Sequence, residues 1–260
     1  MTASPPALHV ERRGHGQPLV LLHGWSMNLR VFDALTAQLE STFELIAVDL
    51  PGHGRSAATL LPTNIDALAA ALQPCVPPGA IVLGWSLGGM AALALASAAS
   101  ASISRLILVA STPCFVARAD WAHGMPPAVL EGFAARLRTD THATVHDFLE
   151  LQLRGSPQAS VMLRAQQAAL ESHGSASDDA LATGLQLLRQ TDLRERLPGI
   201  DLPALVVAGQ YDRVTHPAAG RALAAALPRG EYLEFGRTGH APMLSHPVEL
   251  AAKIIEFASK

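Results

Sequence analysis

The segment Gly84-Trp85-Ser86-Leu87-Gly88 spells G-x-S-x-G directly after the apolar run Ala80-Ile81-Val82-Leu83 and just ahead of Met90-Ala91-Ala92-Leu93-Ala94-Leu95-Ala96. The five-residue pattern alone arises by chance in many chains; its setting between a β-type run and an alanine- and leucine-rich helix is far more restrictive. A serine so placed sits on a strand-to-helix turn too tight for side chains at its neighbours, with its hydroxyl held out from the backbone. Gly89, one position on, lets that helix pack close to the strand. The pattern therefore predicts a parallel sheet with helices against it, and makes Ser86 a candidate nucleophile.

Apolar runs recur along the chain at Leu19-Val20-Leu21-Leu22, Leu45-Ile46-Ala47-Val48, Leu106-Ile107-Leu108-Val109 and Leu205-Val206-Val207-Ala208. They are apolar throughout rather than alternating, as parallel strands covered on both faces should be. Helix-like stretches separate the runs from Leu19 to Val109, that at Ala80 to Leu83 included, which indicates βαβ units. Between Cys114 and Gln190 the rhythm breaks. Val129 to Leu137, Thr144 to Leu153, Val161 to Leu170 and Ala180 to Leu188 read as short helices, punctuated by Gly155-Ser156-Pro157 and Gly174-Ser175. The expected organisation is a core of residues 1–115 and 191–260 with a helical lid, 116–190, inserted after one strand. Pro217 and Pro247 are expected in the first turns of closing helices.

At 260 residues the chain fits one large domain. A net charge of −3, with Lys253 and Lys260 the two lysines among 19 basic residues, offers no footprint for nucleic acid. Met1 to Ala7 lacks a basic start and an apolar stretch, so it does not read as a signal peptide, and no run is apolar enough to span a bilayer. Cys75 and Cys114 have no metal-ligand spacing and are expected as buried packing residues. Together these features predict a cytoplasmic monomer without a membrane contact.

A serine hydroxyl is a poor nucleophile at neutral pH and needs a positioned base, whose imidazolium needs a carboxylate to fix its tautomer and stabilise its charge. In this arrangement the partners follow in the order serine, acid, histidine, each on a loop beyond the carboxyl end of a later strand. Asp212 follows the run Leu205 to Ala208 through Gly209-Gln210-Tyr211 and is the expected acid; Asp192 and Asp201 precede that run. His240, in Gly239-His240-Ala241-Pro242 after the expected strand Tyr232 to Phe235, is the expected base, with His246 as its nearest rival. An oxyanion needs two backbone N–H donors, one from the residue after the nucleophile and one from an early loop. Leu87 supplies the first; Trp25, in His23-Gly24-Trp25, supplies the second. His23 itself is read as a turn-stabilising residue. The loop Asp49-Leu50-Pro51-Gly52-His53-Gly54-Arg55-Ser56 fits no nucleotide-binding fingerprint, so it is read as scaffold, with Asp49 a structural carboxylate.

With these residues in place the chain resembles the α/β-hydrolase superfamily over nearly its whole length. Within it, the chain is similar to the pimeloyl-acyl-carrier-protein methyl ester esterases of biotin synthesis. The narrower likeness rests on Leu22-His23-Gly24-Trp25, Val48-Asp49-Leu50-Pro51-Gly52, Leu83 to Gly89, Ser111-Thr112-Pro113-Cys114-Phe115 and Phe148-Leu149-Glu150-Leu151-Gln152. The resemblance implies an α/β-hydrolase fold, a mostly parallel central sheet flanked by helices with a helical lid. It also implies hydrolysis of a methyl ester on a carrier-borne pimeloyl chain, with Ser86, Asp212 and His240 catalytic and no cofactor or metal. Substrate contacts are implied at Trp25, Leu87 and Phe148 through Gln152 (Phe148, Leu149, Glu150, Leu151, Gln152), besides Ser86 and His240.

One departure bears on the carrier. Residues 116–190 hold six arginines, no lysine and eight acidic residues, with Ala143 and Asp147 where the family places basic residues. Docking to an acidic acyl carrier protein is therefore expected to rest on Arg136, Arg138, Arg154 and Arg164. A general short-chain carboxylesterase or a C–C bond hydrolase shares the same triad and lid and stays open as an alternative. So does a ligand-binding receptor on a hydrolase scaffold.

Overall fold

The computed structural model describes residues 7–99 and 102–260. The reading of the first six residues as no signal peptide lies outside this range. Seven strands, β1 (Val10–Gly14), β2 (Gln17–Leu22), β3 (Phe43–Val48), β4 (Ala80–Trp85), β5 (Ile103–Val109), β6 (Ala204–Gly209) and β7 (Gly230–Phe235), form one sheet in the order β1-β3-β2-β4-β5-β6-β7. Every pairing is parallel except β1 against β3. β1 was not among the expected strands, because Val-Glu-Arg-Arg-Gly has one apolar residue. It stands at the edge, where one face and one flank meet water, so burial imposes no apolar pattern.

The apolar runs divide between two faces, as the twofold period of a strand requires. Val20, Leu22, Ile46, Val48, Val82, Leu106, Leu108 and Val206 pack on one side, with α2 (Ile65–Leu72), α3 (Leu87–Ala99) and α8 (Pro217–Ala226). Leu19, Leu21, Leu45, Ile81, Leu83, Ile107, Val109, Leu205 and Val207 pack on the other, under α1 (Asp33–Leu39) and the closing helices α9 (Pro242–Ser245) and α10 (Pro247–Ala258). Pro217 and Pro247 open α8 and α10 as expected.

Between β5 and β6 lie α4 (Pro127–Thr139), α5 (Thr141–Leu153), α6 (Ala159–His173) and α7 (Asp178–Gln190). Each is longer than its apolar stretch alone indicates; in α5 and α7 polar residues supply the first turns. Asp140 accepts from Ala143 N at 2.9 Å to cap α5, and Ser177 accepts from Ala180 N at 3.2 Å to cap α7. No helix among the described residues is long and apolar enough to cross a membrane. Of the two cysteines, Cys114 is buried as expected, whereas Cys75 is only half-buried, since it ends a short turn after α2 at the domain surface.

Candidate active site

Because the strands run parallel, the loops after β2, β4, β6 and β7 all leave the sheet at one edge. Ser86 follows β4 with φ +55°, a left-handed conformation that a non-glycine residue adopts only when its surroundings enforce it. The enforcement is visible. Ser86 N donates to Val109 O at 3.0 Å, its carbonyl accepts from Ser111 Oγ at 2.9 Å, and Gly89 N bonds the same carbonyl at 3.0 Å. A Cβ on Gly84 would strike the Gly88 carbonyl, and one on Gly88 would strike those of Leu22 and His23, so the turn admits no side chain at either position.

Asp212, three residues past β6, is buried. Its Oδ1 accepts from Val214 N at 2.8 Å and Thr215 N at 2.9 Å, which leaves Oδ2 for His240 Nδ1 at 2.8 Å. The carboxylate is thus saturated with donors and faces the ring in one orientation. Asp192 is instead turned to Arg194, at 2.7 Å. His240 follows β7 and is held by its backbone: its N–H donates to Gln152 O at 2.7 Å, and its carbonyl accepts from Trp85 Nε1 at 2.8 Å. With Nδ1 committed to Asp212, His240 Nε2 is a buried nitrogen without a hydrogen-bond partner, Ser86 Oγ included. His246 spends its Nδ1 on Thr238 Oγ1 and Ser245 Oγ, at 3.0 and 2.9 Å.

The early loop comes equally close. A Cβ built on Gly24 would lie 3.1 Å from Ser86 Cβ, so the backbone at Trp25 passes beside the serine. Among the described loop, turn and side-chain hydrogen bonds, the N–H groups of Trp25 and Leu87 appear in none. The Trp25 indole points away, donating to Leu181 O on α7 at 2.9 Å and meeting Phe133 and Phe148 edge-on at 5.5 and 5.1 Å. Ser86 is 8% exposed.

The stretch 148–152 lies on α5, and the helical period splits it. Leu149 and Gln152 face inward, Phe148 and Leu151 are half-buried, and Glu150 stands on the solvent face; the expectation that Glu150 contacts substrate meets a side chain turned outward. The four arginines are all exposed. Arg136 is paired with Asp147, while Arg138, Arg154 and Arg164 are in no ion pair among the described residues.

His23 is not available as a base. Its Nδ1 donates to Gly24 O at 2.8 Å and its Nε2 accepts from Leu50 N at 2.9 Å, so the ring is neutral in one tautomer, and burial lowers its pKa. Burial, then the neighbouring His23, hold His53 down at about 3. A second His–Asp pair, which sequence reasoning missed, joins the insertion to the core: His173 Nε2 on α6 bonds Asp49 Oδ2 at 2.8 Å. Asp49 also accepts from Leu29 N at 2.8 Å and Arg55 N at 2.9 Å, and His173 Nδ1 accepts from Arg30 Nε at 3.3 Å. Every atom of that pair is spent, so it acts as a tether. Asp49 carried no local signal for it, since its partner lies 124 residues away.

The sequence profile of the alpha/beta hydrolase family matches residues 19–253. A pimeloyl-acyl-carrier protein methyl ester esterase of Stenotrophomonas maltophilia (strain K279a) is 40% identical over 252 residues, covering 97% of this chain and 96% of that protein. One of Vibrio vulnificus (strain YJ016) is 38% identical over 253 residues, covering 97% and 98%. Among solved structures, the bromoperoxidase from Bacillus anthracis superposes with a TM-score of 0.89 over 97% of this chain and 95% of its own, at 18% identity, a likeness of fold alone. Matched along nearly all of its length by these relatives, the chain belongs to the alpha/beta hydrolase family and, within it, to the pimeloyl-acyl-carrier protein methyl ester esterases.

Proposed function

We propose that the chain is a carboxylesterase that hydrolyses the methyl ester of a pimeloyl chain carried on acyl carrier protein, with Ser86 as nucleophile, His240 as base and Asp212 as its orienting acid. The observation that carries this reading is the Asp212 Oδ2–His240 Nδ1 bond of 2.8 Å, which leaves Nε2 as the ring's one free acceptor beside the Ser86 turn. His240 Nε2 takes the Ser86 Oγ proton as Oγ bonds the ester carbon. The negative oxygen that forms is met by the N–H groups of Trp25 and Leu87, and the C–O bond to methanol breaks as Nε2–H returns its proton to the leaving oxygen. A water then gives a proton to Nε2 and attacks the acyl carbon, and the bond to Oγ breaks as Nε2–H returns that proton to Ser86 Oγ, releasing the free acid. No step needs a cofactor or metal.

The acyl chain lies between core and insertion, against Trp25, Leu87, Phe148, Leu149, Leu151 and Gln152. Residues 116–190 form the lid; support for these bounds comes from the neck, where Cys114 bridges to Asp192 and Leu193 N bonds Pro113 O at 2.9 Å. The chain is read as a monomer, and two free cysteines suit a reducing cytoplasm. Carrier docking is assigned to Arg138, Arg154 and Arg164, with Arg136 weakened by Asp147. Methanol release from the carrier-borne ester by wild type, and its loss to background in Ser86→Ala, tests the proposal; a Ser86→Ala protein that keeps turnover ends it.

A further inference from the structure

The two N–H groups that lead into His240 are both held by the inserted segment. His240 N donates to Gln152 O at 2.7 Å, and Gly239 N donates to Ser156 Oγ at 2.9 Å. Gln152 belongs to the last turn of α5, and Ser156 to the short turn, 154–158, that leads into α6. The contact is close, for Gly239 is buried and a Cβ on it would strike the Gln152 carbonyl and lie 3.0 Å from that of Arg154. The same turn rests on the loop of the acid. A Cβ on Gly155, which stands at φ +85°, would lie 2.7 Å from the ring of Tyr211, the neighbour of Asp212, and Tyr211 N donates to Thr238 O at 2.8 Å. One turn of the insertion thus touches the loops of acid and base together.

The rest of His240 is anchored elsewhere, its carbonyl by Trp85 Nε1 and its Nδ1 by Asp212 Oδ2, each at 2.8 Å. Of the two acceptors from the insertion, the Gln152 carbonyl is backbone, whereas the Ser156 hydroxyl is a side chain that one substitution removes. Pro157 restricts the backbone of Ser156 and so limits where that hydroxyl can stand. A buried N–H deprived of its acceptor drives the loop to move until it finds another. At a reacting centre such a shift is costly, since misplacement by about 1 Å lowers rates by as much as 10²-fold.

We propose that Ser156 is a positioning residue of the esterase: by accepting the Gly239 N–H beside the Gln152 carbonyl, it fixes the backbone from which the His240 ring serves Ser86. This rests on the esterase reading above and adds a residue that the reading does not use. It also makes the α5–α6 turn the end of the insertion that stays joined to the catalytic loops.

The test measures kcat and KM for dimethyl pimelate, the rate of inactivation by a fluorophosphonate, and the thermal midpoint, in wild type, Ser156→Ala and Ser156→Thr. Both halves of the reaction pass through His240, so Ser156→Ala is expected to lower kcat roughly tenfold with KM changed by less than about twofold, and to slow fluorophosphonate inactivation by a similar factor. Ser156→Thr keeps the hydroxyl and should recover most of both losses. An alanine variant with a lower thermal midpoint but wild-type kcat and inactivation rate gives Ser156 a structural role only and overturns the proposal. So does a change confined to KM, and so does a threonine variant as slow as the alanine one. Wild type that neither hydrolyses the ester nor reacts with the fluorophosphonate overturns the esterase reading as well. Ser156→Cys, similar in size but a weaker acceptor, supplies the same comparison where alanine prevents folding.

Discussion

The indole Nε1 of Trp85 donates to the backbone carbonyl of His240 at 2.8 Å, with the two rings 5.5 Å apart. The residue that precedes the candidate nucleophile therefore holds the loop of the candidate base, across 155 positions of chain. Trp85→Phe keeps the ring and orphans a buried carbonyl. It should destabilise the fold by about 1–3 kcal/mol in urea unfolding, and lower kcat more than it raises KM, because the imidazole is misplaced rather than the substrate lost.

Asp212→Asn tests the acid. Asparagine Oδ1 can still accept from Val214 N and Thr215 N, but its NH2 then faces His240 Nδ1 and drives the ring proton to Nε2, where it blocks removal of the Ser86 proton. Turnover should fall by about 10⁴ with little change in thermal stability. A variant with near-normal kcat would remove Asp212 from the mechanism.

His53, at about 3, and His23, lowered below the ordinary 6.5, bind fewer protons in the folded chain than in the unfolded one. Their sign is therefore the same: full stability is present above pH 6.5 and is lost as pH falls. For His53 the loss continues to its folded value near 3, at up to about 1.4 kcal/mol per pH unit. Between pH 6.5 and 5 that is about 2 kcal/mol from His53 alone. His53→Gln should flatten the slope of unfolding free energy against pH over this range, measured by urea titration at several pH values.

Asp49→Ala removes the acceptor of Leu29 N, Arg55 N and His173 at once and should destabilise by about 3–5 kcal/mol, more than His173→Ala, which leaves Asp49 its two backbone donors. If the pair tethers the lid, His173→Ala should also increase protease cleavage within residues 159–190 before the core is cut.

Asp147→Asn frees Arg136 on the outer face of the lid. Rim charges act mainly on encounter, so kcat/KM for a carrier-borne ester should rise severalfold at low ionic strength and the gain should vanish in high salt. Hydrolysis of a free methyl ester should not change.

Local pattern settles much of this protein before any coordinates. A buried parallel strand must be apolar on both faces, so five of the seven strands are legible as short apolar runs, while β7, with Glu231 and Glu234 exposed, is legible only as the stretch Tyr232 to Phe235 ahead of His240. A turn as tight as that at Ser86 must have glycine at fixed offsets, so the elbow is legible in five letters. Strand order and direction then make Asp212 and His240 the candidates by position, and it is the fold that joins them to one another, with Asp192 and His246 engaged elsewhere. The edge strand β1, the inward or outward facing of each residue from 148 to 152 and the tether between Asp49 and His173 leave no mark in the chain around them. Each depends on which distant surface arrives opposite a given side chain, and hydrogen bonding and burial across more than a hundred residues are properties of the packed molecule, not of any segment.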